Sequence, residues 1–167
     1  MRTIKPVLVH FVSIGIFIVL SLGYFHPVLS GKVIFQSDIV QFKGMQRQIL
    51  EHRSAFEEEP YWIDNAFGGM PTYQIVSKHA HDLIGHLDSL IRFLPRPADY
   101  LFVYLVGFYF LALFFKVSKP TAIFGAVAFG FSTYLIIILG VGHNTKALAL
   151  GYLPLVILGV LYTVNHQ

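Results

Sequence analysis

PVLVHFVSIGIFIVLSLGYF, residues 6–25, runs for twenty residues without a single Asp, Glu, Lys or Arg. A helix crossing the hydrocarbon of a bilayer needs ~20 apolar residues. Arg2 and Lys5 stand just before the run, as they do in a secretory signal. The run exceeds the ~7–15 apolar residues of such a signal, and its exit, GYFHPVLSGK, offers no small-x-small cleavage site. It reads as an uncleaved first span. Three more apolar segments follow, Tyr100–Phe115, Pro120–Val141 and Ala147–Val164. The first of these is slightly short, and Ala98 and Asp99 or Lys116 extend it if the charges snorkel. Composition agrees: 55% of residues are hydrophobic and 13% charged, against roughly 25% charged in soluble domains.

The expected fold class is therefore an all-α polytopic membrane protein with four transmembrane helices. A large extracytoplasmic loop holds two interfacial amphipathic helices. Residues 1–29 carry the first span, 30–98 the loop and 99–167 the other three spans. Arg2, Lys5 and the KVSK turn (Lys116 and Lys119) favour the cytoplasm, and two crossings separate them, so both ends of that reading agree. The loop and the GHNTK turn at 142–146 then face outward, and the C-terminus returns to the cytoplasm. Without cysteine, no disulfide or thiolate metal site exists. Nothing resembles a nucleic-acid footprint, and no Gly-rich phosphate loop, GxSxG or triad pattern points to a soluble enzyme.

Within the loop, Ile39, Phe42, Met45 and Ile49 recur at helical spacing and predict a helix over about 39–54. Leu83, Ile84, Leu87, Leu90, Ile91 and Leu94 form a clearer stripe opposite Asp82, His86, Asp88 and Arg92. Both suit helices lying in the interface plane. Gly68, Gly69 and Pro71 mark a chain reversal between them. Small residues share a stripe in the last two spans (Ala122, Ala126, Gly130; Ala147, Gly151, Gly159), a spacing that lets helices pack closely. Pro154 predicts a kink.

Asp38 is the first candidate for chemistry. Ser37 or Asp38, just before Ile39, makes a good helix N-cap. The same carboxylate at a membrane surface can serve as a general base, or hold a divalent metal ion against a leaving phosphate. His143, Asn144 and Lys146 are the second candidate, a phosphate seat at a helix N-terminus; the plain alternative is a headgroup-level turn with a snorkelling lysine. Trp62, Tyr61 and Tyr73 either anchor the loop among headgroups or stack on a sugar. His79, His81, Asp82 and His86 are close in sequence but lack a metal-ligand pattern, and Glu57–Glu59 read as a solvated turn. His10, inside the first span, reads as a packed or hydrogen-bonded residue rather than a relay.

GKVIFQSDIVQFKGMQ, EPYW, FGGMPTYQ and GHNTKALALGYLPL together resemble the N-terminal portion of the YfhO-like family of bacterial membrane proteins, within the GT-C superfamily of glycosyltransferases. The resemblance implies a bacterial inner (cytoplasmic) membrane, a donor sugar carried on polyprenyl phosphate, a cell-envelope acceptor and catalysis on the extracytoplasmic face. It implies that Asp38 is the catalytic acid of the first outer loop, as base or metal ligand. His143, Asn144 and Lys146 would then bind the lipid phosphate. The resemblance also implies a longer protein with more spans, of which this chain is an N-terminal module. The rival expectation is a non-catalytic scaffold or transport component whose loop binds a lipid or protein partner. Transport would call for acids or broken helices near the midplane, and the apolar segments show almost none.

Overall fold

The structure, a computed structural model, describes residues 4–76 and 82–165. Seven α-helices account for most of them: α1 (Ile4–Tyr24), α2 (Ser37–Phe56), α3 (Leu83–Ile91), α4 (Ala98–Phe114), α5 (Lys119–Gly130), α6 (Thr133–Val141) and α7 (Asn144–Asn165). Two are long and apolar enough to cross a membrane, over Val7–Tyr24 and Asn144–Asn165. α5 and α6 make a third if the bent pair is a single span. α4 is apolar but has only 17 residues, about 26 Å at 1.5 Å per residue, against ~30 Å of hydrocarbon.

The chain divides into two compact units, residues 1–34 with 87–167, and residues 35–86. The first is a helical bundle centred on α4. Every residue from Ala98 to Leu105 is buried, as are Gly107 and Tyr109, the pattern of a helix that is hydrophobic all round. α5, α7 and α1 pack against it. Among its described side chains, α1 buries the stripe Ser13, Phe17, Ser21 and leaves Val7, Leu8, Phe11, Val12 and Val19 uncovered. On α7, Ala147, Gly151 and Pro154 face inward while Val156, Ile157, Val160 and Val164 stay exposed. Broad uncovered aliphatic surface is unusual in water and natural against lipid tails.

The small-residue stripe is the seam of this bundle. A Cβ added at Gly151 would lie 3.1 Å from the Tyr104 ring, and one at Gly107 would lie 3.0 Å from the Gly151 carbonyl oxygen. A Cβ at Gly130 would come within 2.8 Å of Leu105. Gly159 departs from the expectation, since nothing lies within 4 Å of the position its Cβ would take.

The segment expected to cross as one piece, Pro120–Val141, is instead two helices bent by 44°. Gly130, a weak helix former, ends α5, and Ser132 takes an extended conformation (φ −60°, ψ 140°) as N-cap of α6.

The second unit is α2 folded against a short hairpin. β1 (Trp62–Ile63) pairs antiparallel with β2 (Met70–Pro71), placing Trp62 opposite Pro71. The expected reversal is present, with Phe67, Gly68 and Gly69 all at positive φ. Its small core holds Ile49, Ile63 and Ala66, with Met45, Met70, Ile75 and Val76 against them. Side chains tie the hairpin to α2: Gln48 Oε1 accepts from the amides of Asp64 and Asn65 at 3.0 and 3.1 Å, and Asn65 Nδ2 donates to the carbonyls of Gly44 and Met45. The Thr72 hydroxyl donates to the Pro60 carbonyl at 2.6 Å.

Candidate functional site

Asp38 lies in the first turn of α2. The helix begins earlier than the spacing predicts, and its N-cap is Gln36 (φ −122°, ψ 112°), so neither Ser37 nor Asp38 occupies the cap position. Asp38 is instead the acidic residue of the first turn, where the helix dipole favours a negative charge. The same unit displays its aromatic rings outward. Tyr61 is 87% exposed and Tyr73 70%, and Trp62 is exposed as well. The Trp62 indole rests on Gly69, where an added Cβ would sit 2.7 Å from Nε1. With Gly69 at φ +117°, both conformation and space call for glycine there.

His143, Asn144 and Lys146 belong to the bundle unit, at the start of α7. Gly142, at φ +103°, closes α6 and turns the chain into it. The Lys146 ammonium stands 5.2 Å from the centre of the Tyr134 ring, a cation–π contact across the turn. Asn144 buries its side-chain oxygen without a hydrogen-bond partner among the described residues. Asp38, Trp62 and Tyr73 thus belong to one unit, and His143, Asn144 and Lys146 to the other.

The strongest polar constellation involves residues that the sequence did not single out as a site. α3 is inside-out. Its apolar residues Leu83, Ile84, Leu87 and Leu90 are exposed, while Asp88 and Arg92 turn into the bundle. Arg92 forks onto Asp88 through Nε at 2.8 Å and through Nη2. Its third nitrogen, Nη1, donates to Asp99 Oδ2 at 2.7 Å. From α7, the Tyr152 hydroxyl donates to Asp88 Oδ1 at 2.9 Å. Arg92 and Arg96 both lie over the Tyr100 ring, 5.2 and 5.4 Å from its centre. Asp99 does not snorkel: it is 2% exposed, and its Oδ1 has no partner among the described residues.

The hydrogen bonds from Arg92 hold the Asp88 carboxyl below the usual carboxylate range, against the opposing effect of burial, and Tyr152 adds to the lowering. Asp88 in turn raises Arg92 above the usual guanidinium value. Two carboxyl and two guanidinium groups meet in the cluster. Its chemistry is that of a lock between α3, α4 and α7. The signals were present in the sequence: an i, i+4 Asp–Arg pair, an acid opening an apolar helix, and a tyrosine inside another.

A second polar contact joins α1 to α4. His10 Nδ1 and the Tyr109 hydroxyl are 2.9 Å apart, and the Ser13 hydroxyl lies 3.3 Å from the same oxygen. The expectation of a hydrogen-bonded His10 is met. Among the described residues no three His, Asp or Glu side chains gather as a metal site; His79 and His81 lie outside the described residues. Asp82 accepts from the Gly85 amide at 2.7 Å, as an N-cap aspartate does for the helix it precedes.

No protein-family model matches the chain, and no curated protein or solved structure matches it either.

Proposed function

We propose that the chain is the N-terminal membrane module of a GT-C-like glycosyltransferase of the YfhO-like kind. It crosses the bilayer four times, through α1, α4, the α5–α6 pair and α7, with the N-terminus cytoplasmic. A sugar moves from polyprenyl phosphate to a cell-envelope acceptor on the extracytoplasmic face. Asp38 removes the proton from the acceptor hydroxyl as that oxygen attacks the sugar, or holds a divalent cation that neutralises the departing phosphate. Trp62 and Tyr73 present ring faces to a sugar, and His143, Asn144 and Lys146 bind the lipid phosphate.

The observation that carries this reading is the make-up of the unit holding Asp38. Its core is only Ile49, Ile63 and Ala66, and the large aromatic rings that could have enlarged it face outward instead. Exposed rings and a carboxylate in one small unit, in a segment that follows a membrane-spanning helix, suit recognition of a sugar at a lipid surface. The same rings also suit a scaffold that holds a lipid or protein partner without catalysis, so the test must be chemical.

Sugar transfer should be measured in membranes for the wild type, Asp38→Asn and Asp38→Ala, normalised to folded protein. Asn keeps the shape and polarity of the side chain but cannot take a proton. The transferase reading expects both variants to fold and both to lose transfer by about 10²–10⁴-fold, the usual effect of a general base. Full transfer by Asp38→Asn would remove Asp38 from the chemistry, and wild-type transfer no greater than in membranes lacking the chain would leave the scaffold reading in its place.

A further inference from the structure

The chain leaving α1 builds a groove of about 420 Å³ lined by Tyr24, Phe25, Pro27, Val28, Lys32, Val33 and Ile34. That is within the ~300–1,000 Å³ typical of ligand sites. Its walls are fixed by packing and backbone hydrogen bonds. Phe25 is buried, and Tyr24 meets both Phe25 and Phe131 edge-on, with ring centres 4.8 and 5.2 Å apart. A 3-10 turn, His26–Ser30, follows and is closed by Gly31 at φ +74°. The Lys32 amide then donates back to the Pro27 carbonyl at 3.2 Å, tying the segment after Gly31 to the turn.

The lining is apolar except for one cation. Lys32 has no acidic partner among the described residues, and Leu29 and Val33 beside it are exposed, Val33 at 91%. The groove stands at the end of a helix apolar enough to cross a membrane. A ligand for it needs an anionic head to meet the ammonium and an aliphatic stem to lie on Tyr24, Phe25 and Val28. At the end of a span, lysines pair with headgroups in this way.

We propose that this groove is a binding site for an anionic phospholipid of the bilayer, with the phosphodiester on Lys32 and the upper acyl chain along the aromatic wall. The proposal rests on α1 entering the membrane and is independent of sugar transfer. Its effect is to fix the height of the segment that leads from α1 into α2.

The chain has no cysteine, so Val33→Cys carries a single fluorescent label beside Lys32. In nanodiscs, brominated phosphatidylglycerol should quench that label about fivefold more effectively than brominated phosphatidylcholine at equal mole fraction, the effect of one basic residue on an anionic headgroup. Adding Lys32→Gln should abolish the preference, and Lys32→Arg should keep it. Equal quenching by both lipids, or a preference that survives Lys32→Gln, overturns the site. So does loss of the preference to free glycerol phosphate, which would make this a seat for a soluble anion. A label at Phe11→Cys separates the premises. If neither lipid quenches it, the spanning reading of α1 fails and takes the site with it. If both quench it while Val33 shows no preference, the site alone fails.

Discussion

Asp99 gives up almost all solvent contact in the first turn of α4, and Arg92 is the group that makes this tolerable. Removing one partner of a buried ion pair leaves the other charge uncompensated, at a cost of about 3–5 kcal/mol. Arg92→Met should therefore lower the thermal midpoint of the purified protein in detergent steeply. Arg92→Met combined with Asp99→Leu should recover the part of that loss due to Asp99, the more deeply buried of its two partners, while Asp88 keeps only the bond from Tyr152. Arg47→Met serves as the control: its pair with Glu51 is exposed, 2.6 Å long and on one helix face, and such pairs contribute little. Its midpoint should not move. Asp88 adds a pH dependence. Its folded pKa is lowered, chiefly by the Arg92 hydrogen bonds. Its stabilising contribution is therefore fully present above the unfolded value near ~3.9 and lost as pH falls through the lower folded value. Asp88→Asn should reduce the midpoint at neutral pH and flatten its decline between about pH 5 and pH 2. A decline as steep as wild type would mean that other carboxylates govern acid unfolding.

At the scale of elements, the α4–α7 contact depends on glycine at one level and not at another. Gly151→Leu would press on Tyr104 and Val103, both 3.1 Å from a Cβ there, and overpacking of this kind costs about 1–3 kcal/mol. Gly159→Leu meets nothing within 4 Å and should leave stability unchanged; equal losses at the two sites would mean that the seam runs the length of α7. Periodicity found the stripe because small residues recur on one helix face, but it cannot say how far along that face a neighbour remains. Helix α3 shows a similar limit. The alternation of Leu83, Ile84, Leu87 and Leu90 with Asp82, His86, Asp88 and Arg92 was legible, and so was a helix there. The apolar side read as the one facing lipid, and its exposure fits that. What the pattern could not reveal was that the polar side has protein partners, since Asp99 and Tyr152 lie 7 and 64 residues from the side chains they meet. The break at Phe131–Ser132 was hidden for another reason. Gly130 and the N-capping Ser132 are break signals in the sequence, but a span-length hydropathy window averages over them.

For the whole molecule, the open quantity is the number of crossings. Helices α1 and α7 are long and apolar enough on their own, the α5–α6 pair only if its 44° bend lies within one crossing, and α4 is the shorter helix at the centre. A short central helix can still cross if the bilayer thins around it or flanking residues snorkel, at a fraction of a kcal/mol per Å of mismatch. Burial argues for this in α4, because a helix wrapped by α1, α5 and α7 contacts little lipid and is not obliged to match its thickness. Four crossings place Glu58 and Thr145 on one side of the membrane and Val117, in the turn after α4, on the other. The cysteine-free chain makes this directly measurable. In intact cells, a membrane-impermeant thiol reagent should modify Glu58→Cys and Thr145→Cys and should reach Val117→Cys only after permeabilisation. Labelling of all three from outside would mean that α4 and the bent pair enter and leave on the same face. In that case α1 and α7 would be the only crossings among the described residues, and the bent pair would be a re-entrant hairpin beside α4.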